Sequence, residues 1–236
     1  MSLIHRLNSI YPATEGEGVH IGTPQIFVRY QGCKIGCLNC DSRDTWAFRG
    51  GNILTTSEVI EQLKEHGFGS RTRRVSITGG DPLDERNISS VLELVQELKK
   101  HKAWINIEAA GNVYASEIFS LVDFISFDVK TPSTGVKNSL DPLKKVIENF
   151  SHALQIKAVV ADKSDFDFIS EVKKDVEQVE GADLVQWVLT PVFNYGEDFP
   201  KERVADIINW NQFHGGFFRV IGQQHKWVYG PDKKYI

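Results

Sequence analysis

Across 236 residues, 41% hydrophobic and 25% charged, there is enough apolar material for a substantial core and no shift in composition that would divide the chain, so one domain over residues 1–236 is expected. The 27 basic and 31 acidic side chains leave a net charge of −4 spread along the chain, which argues against nucleic acid as a partner. No run approaches the roughly 18 apolar residues of a membrane span, and residues 1–7 carry no apolar leader, so a cytoplasmic protein without membrane contact is expected.

In chain order, β-branched and aromatic residues predict a first strand at 25–31, followed by a cysteine-rich loop. Thr55-Thr56-Ser57-Glu58 has the form of a capping box and opens a helix to about residue 66. A strand at 75–78 precedes a helix at 87–101, whose Ile88, Val91, Leu92, Val95 and Leu98 recur at three- and four-residue spacing. Strands at 104–108 and 124–129 come next. Asp141-Pro142 reads as an N-cap followed by proline at the first helical position. The remaining strands are expected at 154–160, 184–189 and 217–221, with helices at 164–179 and 202–213 between them. Strands that alternate with helices predict parallel pairing, hence an α/β barrel or open sheet. Ligands gather beyond the carboxyl ends of such strands. The polar candidates fall there: Arg29 and the cysteine loop, then Thr78 and Asp81, then Glu108, then Asp128 and Lys130.

The chain's three cysteines, Cys33, Cys37 and Cys40, all lie in the loop after the first strand. An odd, clustered trio argues against disulfides and for metal. Two readings compete. A structural zinc site would need Asp41 or a distant histidine as fourth ligand, yet such sites prefer four Cys or His ligands in paired short motifs. A [4Fe–4S] cluster normally takes four cysteines, so three leave one iron with open coordination sites. That iron can chelate the amino and carboxylate groups of S-adenosylmethionine, and one-electron cleavage of a C–S bond then gives a 5′-deoxyadenosyl radical.

The spacing of Cys33, Cys37 and Cys40 resembles the signature of the radical S-adenosylmethionine superfamily. Thr78-Gly79-Gly80-Asp81-Pro82 stands where members carry Gly-Gly-Glu-Pro, with Asp81 in place of glutamate. The flanks resemble the 7-carboxy-7-deazaguanine synthases more narrowly. Thr14-Glu15-Gly16-Glu17-Gly18, Phe27-Val28-Arg29, Gly32-Cys33, Cys40-Asp41-Ser42, Ile107-Glu108 and Gln223-Gln224-His225-Lys226 carry that likeness in order. The chain departs from the pattern at Glu15 (usually glutamine), Lys34 (usually asparagine or aspartate) and Asp128 (usually serine).

The resemblance implies a truncated, partial (β/α) TIM-like barrel of about six parallel strands, probed below. It implies a [4Fe–4S] cluster on Cys33, Cys37 and Cys40, S-adenosylmethionine, and Mg²⁺ on Ser42. The implied reaction is ring contraction of 6-carboxy-5,6,7,8-tetrahydropterin to 7-carboxy-7-deazaguanine with loss of ammonia, in queuosine and 7-deazapurine biosynthesis. A homodimer and an electron donor such as flavodoxin or ferredoxin come with it. Asn39, Asp41, Gly80, Asp81, Glu108, Asp128, Val129, Lys130 and Thr190 are the implied cofactor contacts. Thr14, Glu15, Gly16, Glu17, Arg29, Thr78 and His225 are the implied substrate contacts, with His225 also catalytic.

The residue chemistry agrees with these roles. An arginine can clamp a carboxylate through two charge-assisted hydrogen bonds. Buried acidic side chains can read a pterin's guanidine-like edge and reject analogues that lack it. Ser42 has a competing use as a helix N-cap, Glu108 as a strand-end ion pair, and His225 as a packed histidine. A glycyl-radical-installing activase and a non-catalytic zinc or electron-transfer module are the rival functions.

Overall fold

The computed structural model describes residues 3–137 and 139–235. A hairpin begins it: β1 (Ile4–Thr14) pairs antiparallel with β2 (Pro24–Tyr30), and β3 (Asn52–Thr55) adds antiparallel to the outer edge of β1. From β2 onward every pairing is parallel, through β4 (Arg74–Gly79), β5 (Trp104–Ala109), β6 (Phe124–Asp128), β7 (Leu154–Val160), β8 (Gln186–Pro191) and the short β9 (Arg219–Val220). Helices α1 (Thr56–Glu65), α2 (Ile88–Lys100), α3 (Ser116–Phe119), α4 (Asp141–Phe150), α5 (Lys163–Asp175) and α6 (Lys201–Phe213) fill the connections, and α7 (Gln224–Tyr229) follows β9. The strand order is β3-β1-β2-β4-β5-β6-β7-β8-β9, and its two ends do not pair with each other. The alternation predicts an α/β barrel or open sheet, and the result is the partial, open (β/α) barrel that the resemblance implies, its parallel run reaching from β2 through β4 to the two-residue β9. Among the described residues no helix is long and apolar enough to cross a membrane.

Local signals account for much of this. Thr55 caps α1 by accepting from the Glu58 N–H, and Glu58 Oε2 takes the Thr55 N–H at 2.7 Å, a complete capping box. Helix α2 buries Val91, Leu94, Val95 and Leu98, one stripe facing the sheet. Three expectations are corrected. Asp141 lies inside the first turn of α4, with Leu140 at the cap position. Helix α5 ends at Asp175 rather than 179, where Val176 leaves helical geometry and a turn closes from Val179 N to Val176 O. Strands β1 and β3 were not expected: β1 interrupts its apolar residues with His5, Arg6, Asn8, Ser9 and Pro12, and β3 buries none of its four residues. Both are strands because of what they pair with, not because of a pattern of their own.

The parallel strands have two unlike faces. Ile26, Val28, Val75, Ile77, Ile105, Ile107, Ile125, Phe127, Leu154 and Ile156 point to the helices and join one apolar core. The alternate residues, with Phe27 and Val159 as apolar exceptions, are mostly polar: Arg29, Ser76, Thr78, Asn106, Glu108, Ser126, Asp128, Gln155 and Lys157. They bond across strands, Asn106 Nδ2 to Ser76 Oγ at 2.8 Å and Gln155 Nε2 to Ser126 Oγ at 2.7 Å. A polar inner face of this kind suits a ligand rather than a packed plug of side chains.

Candidate active site

Above this polar floor, at the carboxyl ends of the strands, opens a cavity of about 750 Å³. Thr14, Glu15, Gly16 and Glu17 line it from the turn after β1, Arg29 from β2, and Thr78, Gly80 and Glu108 from β4 and β5. Cys33, Cys37, Asn39, Cys40, Asp41 and Ser42 come from the loop after β2, Asp128, Val129 and Lys130 from β6 and its exit, and His225 from α7.

The cysteine loop is fixed by its backbone. Gly32 N donates to Thr45 O at 2.7 Å, Cys33 N to Trp46 O at 3.1 Å, and Leu38 N to Thr134 O at 2.9 Å. Trp46 Nε1 reaches Cys40 Sγ at 3.3 Å. The Gly79-Gly80 turn presses against this loop: Gly80 N donates to Tyr30 O, and Asp81 N to Gly32 O. A Cβ on Gly80 would lie 2.5 Å from Gly32 O and 2.9 Å from Cys33 Cβ, so only glycine permits the approach. Burial pushes the Cys33 and Cys37 thiols up, and Lys130 counters this at Cys37. Among the described residues no three Cys, His, Asp or Glu side chains converge on a single ion. A four-iron cluster spreads its cysteines over separate irons, so three thiols lining one cavity fit a cluster better than zinc.

Charge in the cavity is sorted by neighbours. Lys157 on β7 places Nζ 2.8 Å from Glu17 Oε2 and 3.7 Å from Asp128 Oδ1, while Lys130 Nζ meets Asp128 Oδ2 at 2.6 Å. Burial opposes charge on Lys157, yet Asp128 and Glu17 raise its pKa well above the usual lysine value. Burial also opposes ionisation of Glu17, and Lys157 and His225 overcome it, lowering the carboxyl to about 2. Glu15 is pushed up to about 8, by burial first and then by the Glu108 and Glu17 carboxylates. Arg29 Nη2 donates to Tyr11 Oη at 3.0 Å, with Nη1 3.4 Å from Ser42 Oγ. Burial of Arg29 is outweighed by Tyr11, Glu108 and Asp41, which raise its pKa. Thr78 Oγ1 donates to Glu108 Oε2 at 2.9 Å. Helix α7 seals one side, with Gln224 N on Gly16 O at 2.8 Å, Gln223 Nε2 on Glu17 Oε1 at 2.7 Å and Lys226 Nζ 2.9 Å from Asp41 Oδ2.

A family model described as a 4Fe-4S single cluster domain matches residues 14–125. A 7-carboxy-7-deazaguanine synthase of Bacillus subtilis is 30% identical over 171 residues, 69% of this chain and 68% of that protein. One from Thermoplasma acidophilum is 30% identical over 228 residues, 95% of this chain and 97% of the relative. The chain belongs to the 7-carboxy-7-deazaguanine synthase family. The crystal structure of QueE from Escherichia coli shares the fold, with a TM-score of 0.69 at 19% identity over 94% of this chain and 95% of that one. Family membership makes the chain an enzyme of the radical type, with the iron–sulfur cluster and S-adenosylmethionine as its cofactors.

Two residues expected among the family's cofactor contacts do not line the cavity. Asp81 is 1% exposed and its Oδ1 accepts the Leu83 N–H at 3.0 Å, so its carboxylate is turned into its own loop. Thr190 is fully buried on β8, its hydroxyl without a hydrogen-bond partner. Conversely, Tyr11, Lys157 and residues 231–235 line the cavity without having been singled out. Lys157 had a readable signal: a lysine in the otherwise apolar Leu154-Gln155-Ile156-Lys157-Ala158-Val159-Val160 needs a buried partner. Tyr11 had none, because its strand was not legible.

Proposed function

We propose that this chain contracts 6-carboxy-5,6,7,8-tetrahydropterin to 7-carboxy-7-deazaguanine with loss of ammonia, a carbon–nitrogen lyase step toward queuosine and other 7-deazapurines. One observation carries the reading: the cysteine loop, a half-buried arginine, the buried Glu15 and the half-buried Glu17 share a single cavity. Cys33, Cys37 and Cys40 hold the cluster, which together with S-adenosylmethionine supplies hydrogen-atom abstraction from the substrate when bound.

The chain's own side chains bind and orient. Arg29, kept charged, takes the substrate carboxylate, and the turn carrying Thr14, Glu15, Gly16 and Glu17 reads the pyrimidine edge, with Thr78 beside it. Asn39, Asp41, Gly80, Glu108, Asp128, Val129 and Lys130 hold S-adenosylmethionine; the buried Asn39 Nδ2 has no partner and is available to it. Asp81 acts through the Gly79-Gly80 turn, and Thr190 backs the wall. Ser42 is the Mg²⁺ ligand: its hydroxyl makes no capping bond to the turn that follows and instead donates to Asp41 Oδ1 at 3.1 Å at the cavity lining, beside a carboxylate that suits an oxygen-preferring ion. Burial lowers the pKa of His225, so its imidazole is neutral near pH 7 and accepts a hydrogen bond or proton from substrate. A homodimer, one domain, a flavodoxin- or ferredoxin-type electron donor and a cytoplasmic setting complete the proposal.

The test is a product assay on anaerobically reconstituted protein with reductant, S-adenosylmethionine, Mg²⁺ and 6-carboxytetrahydropterin. The expected outcome is 7-carboxy-7-deazaguanine by mass spectrometry, absent with Cys37→Ala. Accumulation of 5′-deoxyadenosine without that product would refute the substrate and keep the radical chemistry.

A further inference from the structure

Glu15 and Glu17 stand two residues apart in one turn, yet their surroundings differ in kind. Glu17 is held by a cation, Lys157, with Gln223 Nε2 on its other oxygen at 2.7 Å. Glu15, 8% exposed, is met by neutral donors, Gln25 Nε2 at 2.7 Å on Oε2 and the Glu17 N–H at 3.2 Å on Oε1. Arg29 is turned to Tyr11, Ser42 and the Gly79 carbonyl. Of the charged groups facing Glu15, Glu17 in the same turn and Glu108 on β5 repel a second anion, while Lys157 on β7 and Arg74 on β4 attract it. His225 of α7 packs on the intervening Gly16.

We infer that Glu15 meets the ligand as a neutral carboxylic acid able to donate a hydrogen bond, while Glu17 meets it as an anion that only accepts. This rests on reading the ligand as a 2-aminopyrimidin-4-one ring. Such a ring shows adjacent N–H donors, which suit an anion, next to a ring nitrogen or carbonyl acceptor, which needs a donor. A protonated glutamate offers one donor and one acceptor on a planar end group, as does the glutamine usual at this position. Glu15 therefore replaces glutamine without a change of ligand class, and the replacement adds a titration. With the acid group near 8 and Glu17 near 2, the pair keeps opposite charge states across neutral pH.

Glu15 carries its proton below about 8, so ligand affinity falls as pH rises through that value. The experiment is difference infrared spectroscopy and binding of 6-carboxytetrahydropterin, on anaerobically reconstituted wild type and Glu15→Gln. At about pH 7 the wild type is expected to show the carbonyl stretch of a protonated carboxylic acid that the variant lacks. Above about pH 8 wild-type affinity is expected to fall about tenfold per unit, and the variant to follow only the ligand's own titration. A band missing at about pH 7, or equal pH dependence in both proteins, would overturn the inference and leave the proposed reaction standing. If Glu15→Gln folds poorly, titrating the wild-type band decides alone, and a midpoint below about 6 overturns the inference. A protonated acid in protein that binds no pterin at any pH overturns the ligand reading, and with it Glu15 as a donor to that ligand.

Discussion

Asp81 matches a motif position, yet its carboxylate bonds within its own loop and does not line the cavity. Its carboxyl, raised by burial, is held by the Leu83 N–H, so the loop that carries Gly80 depends on it. Asp81→Ala strands that buried N–H, and such a loss costs about 1–3 kcal/mol. The thermal midpoint of the cluster-free protein should drop, and Asp81→Asn, which keeps the acceptor, should recover most of it. A midpoint unchanged in Asp81→Ala would return Asp81 to a direct ligand contact. Glu15 belongs to the same scale. The residue type was legible, but its charge state depends on Glu108 and Gln25, which lie on other strands, as well as on Glu17 in its own turn.

Strand β7 is the element that ties the two halves of the cavity together. Lys157 lies between Glu17, on the proposed pterin side, and Asp128, on the proposed cofactor side, and its side chain is 11% exposed. Removing one partner of a buried ion pair costs about 3–5 kcal/mol. Lys157→Met is therefore expected to destabilise the fold in urea and to raise the Glu17 carboxyl from about 2 toward or above its ordinary 4.5. The sign is fixed by the depressed pKa. Glu17 contributes stability above about 4.5 that is lost as pH falls toward about 2, and the variant loses that contribution even at neutral pH. Pterin binding in Lys157→Met should acquire an acid limb above about pH 4.5, which Lys157→Arg should suppress. Equal acid limbs in both variants and wild type would remove Lys157 from this role.

At the scale of the molecule, the cavity closes only because α7, near the end of the chain, docks on the turn after β1. Gly16 is the point of contact, for a Cβ there would stand 2.0 Å from His225 Nδ1. Gly16→Ala should displace α7 at a cost of about 1–3 kcal/mol, weakening pterin binding about tenfold while leaving cluster absorbance intact. Loss of the cluster absorbance instead would mean that α7 supports the cysteine loop directly.

The sequence by itself determined the capped helix α1, the apolar stripe of α2, the parallel pairing of alternating strands, the cysteine loop and the polar residues at the strand ends. Each of these is written in local spacing, a capping box at Thr55, a 3–4 repeat in α2, three thiols in one loop. Only the tertiary structure decided that β1 and β3 are strands, since edge pairing supplies what their mixed composition lacks. It alone turned Asp81 inward, set Lys157 between two carboxylates and gave Glu15 and Glu17 different surroundings. Burial and Coulomb interactions act through space, and the groups that set them lie as far apart in the chain as Glu17 and Gln223.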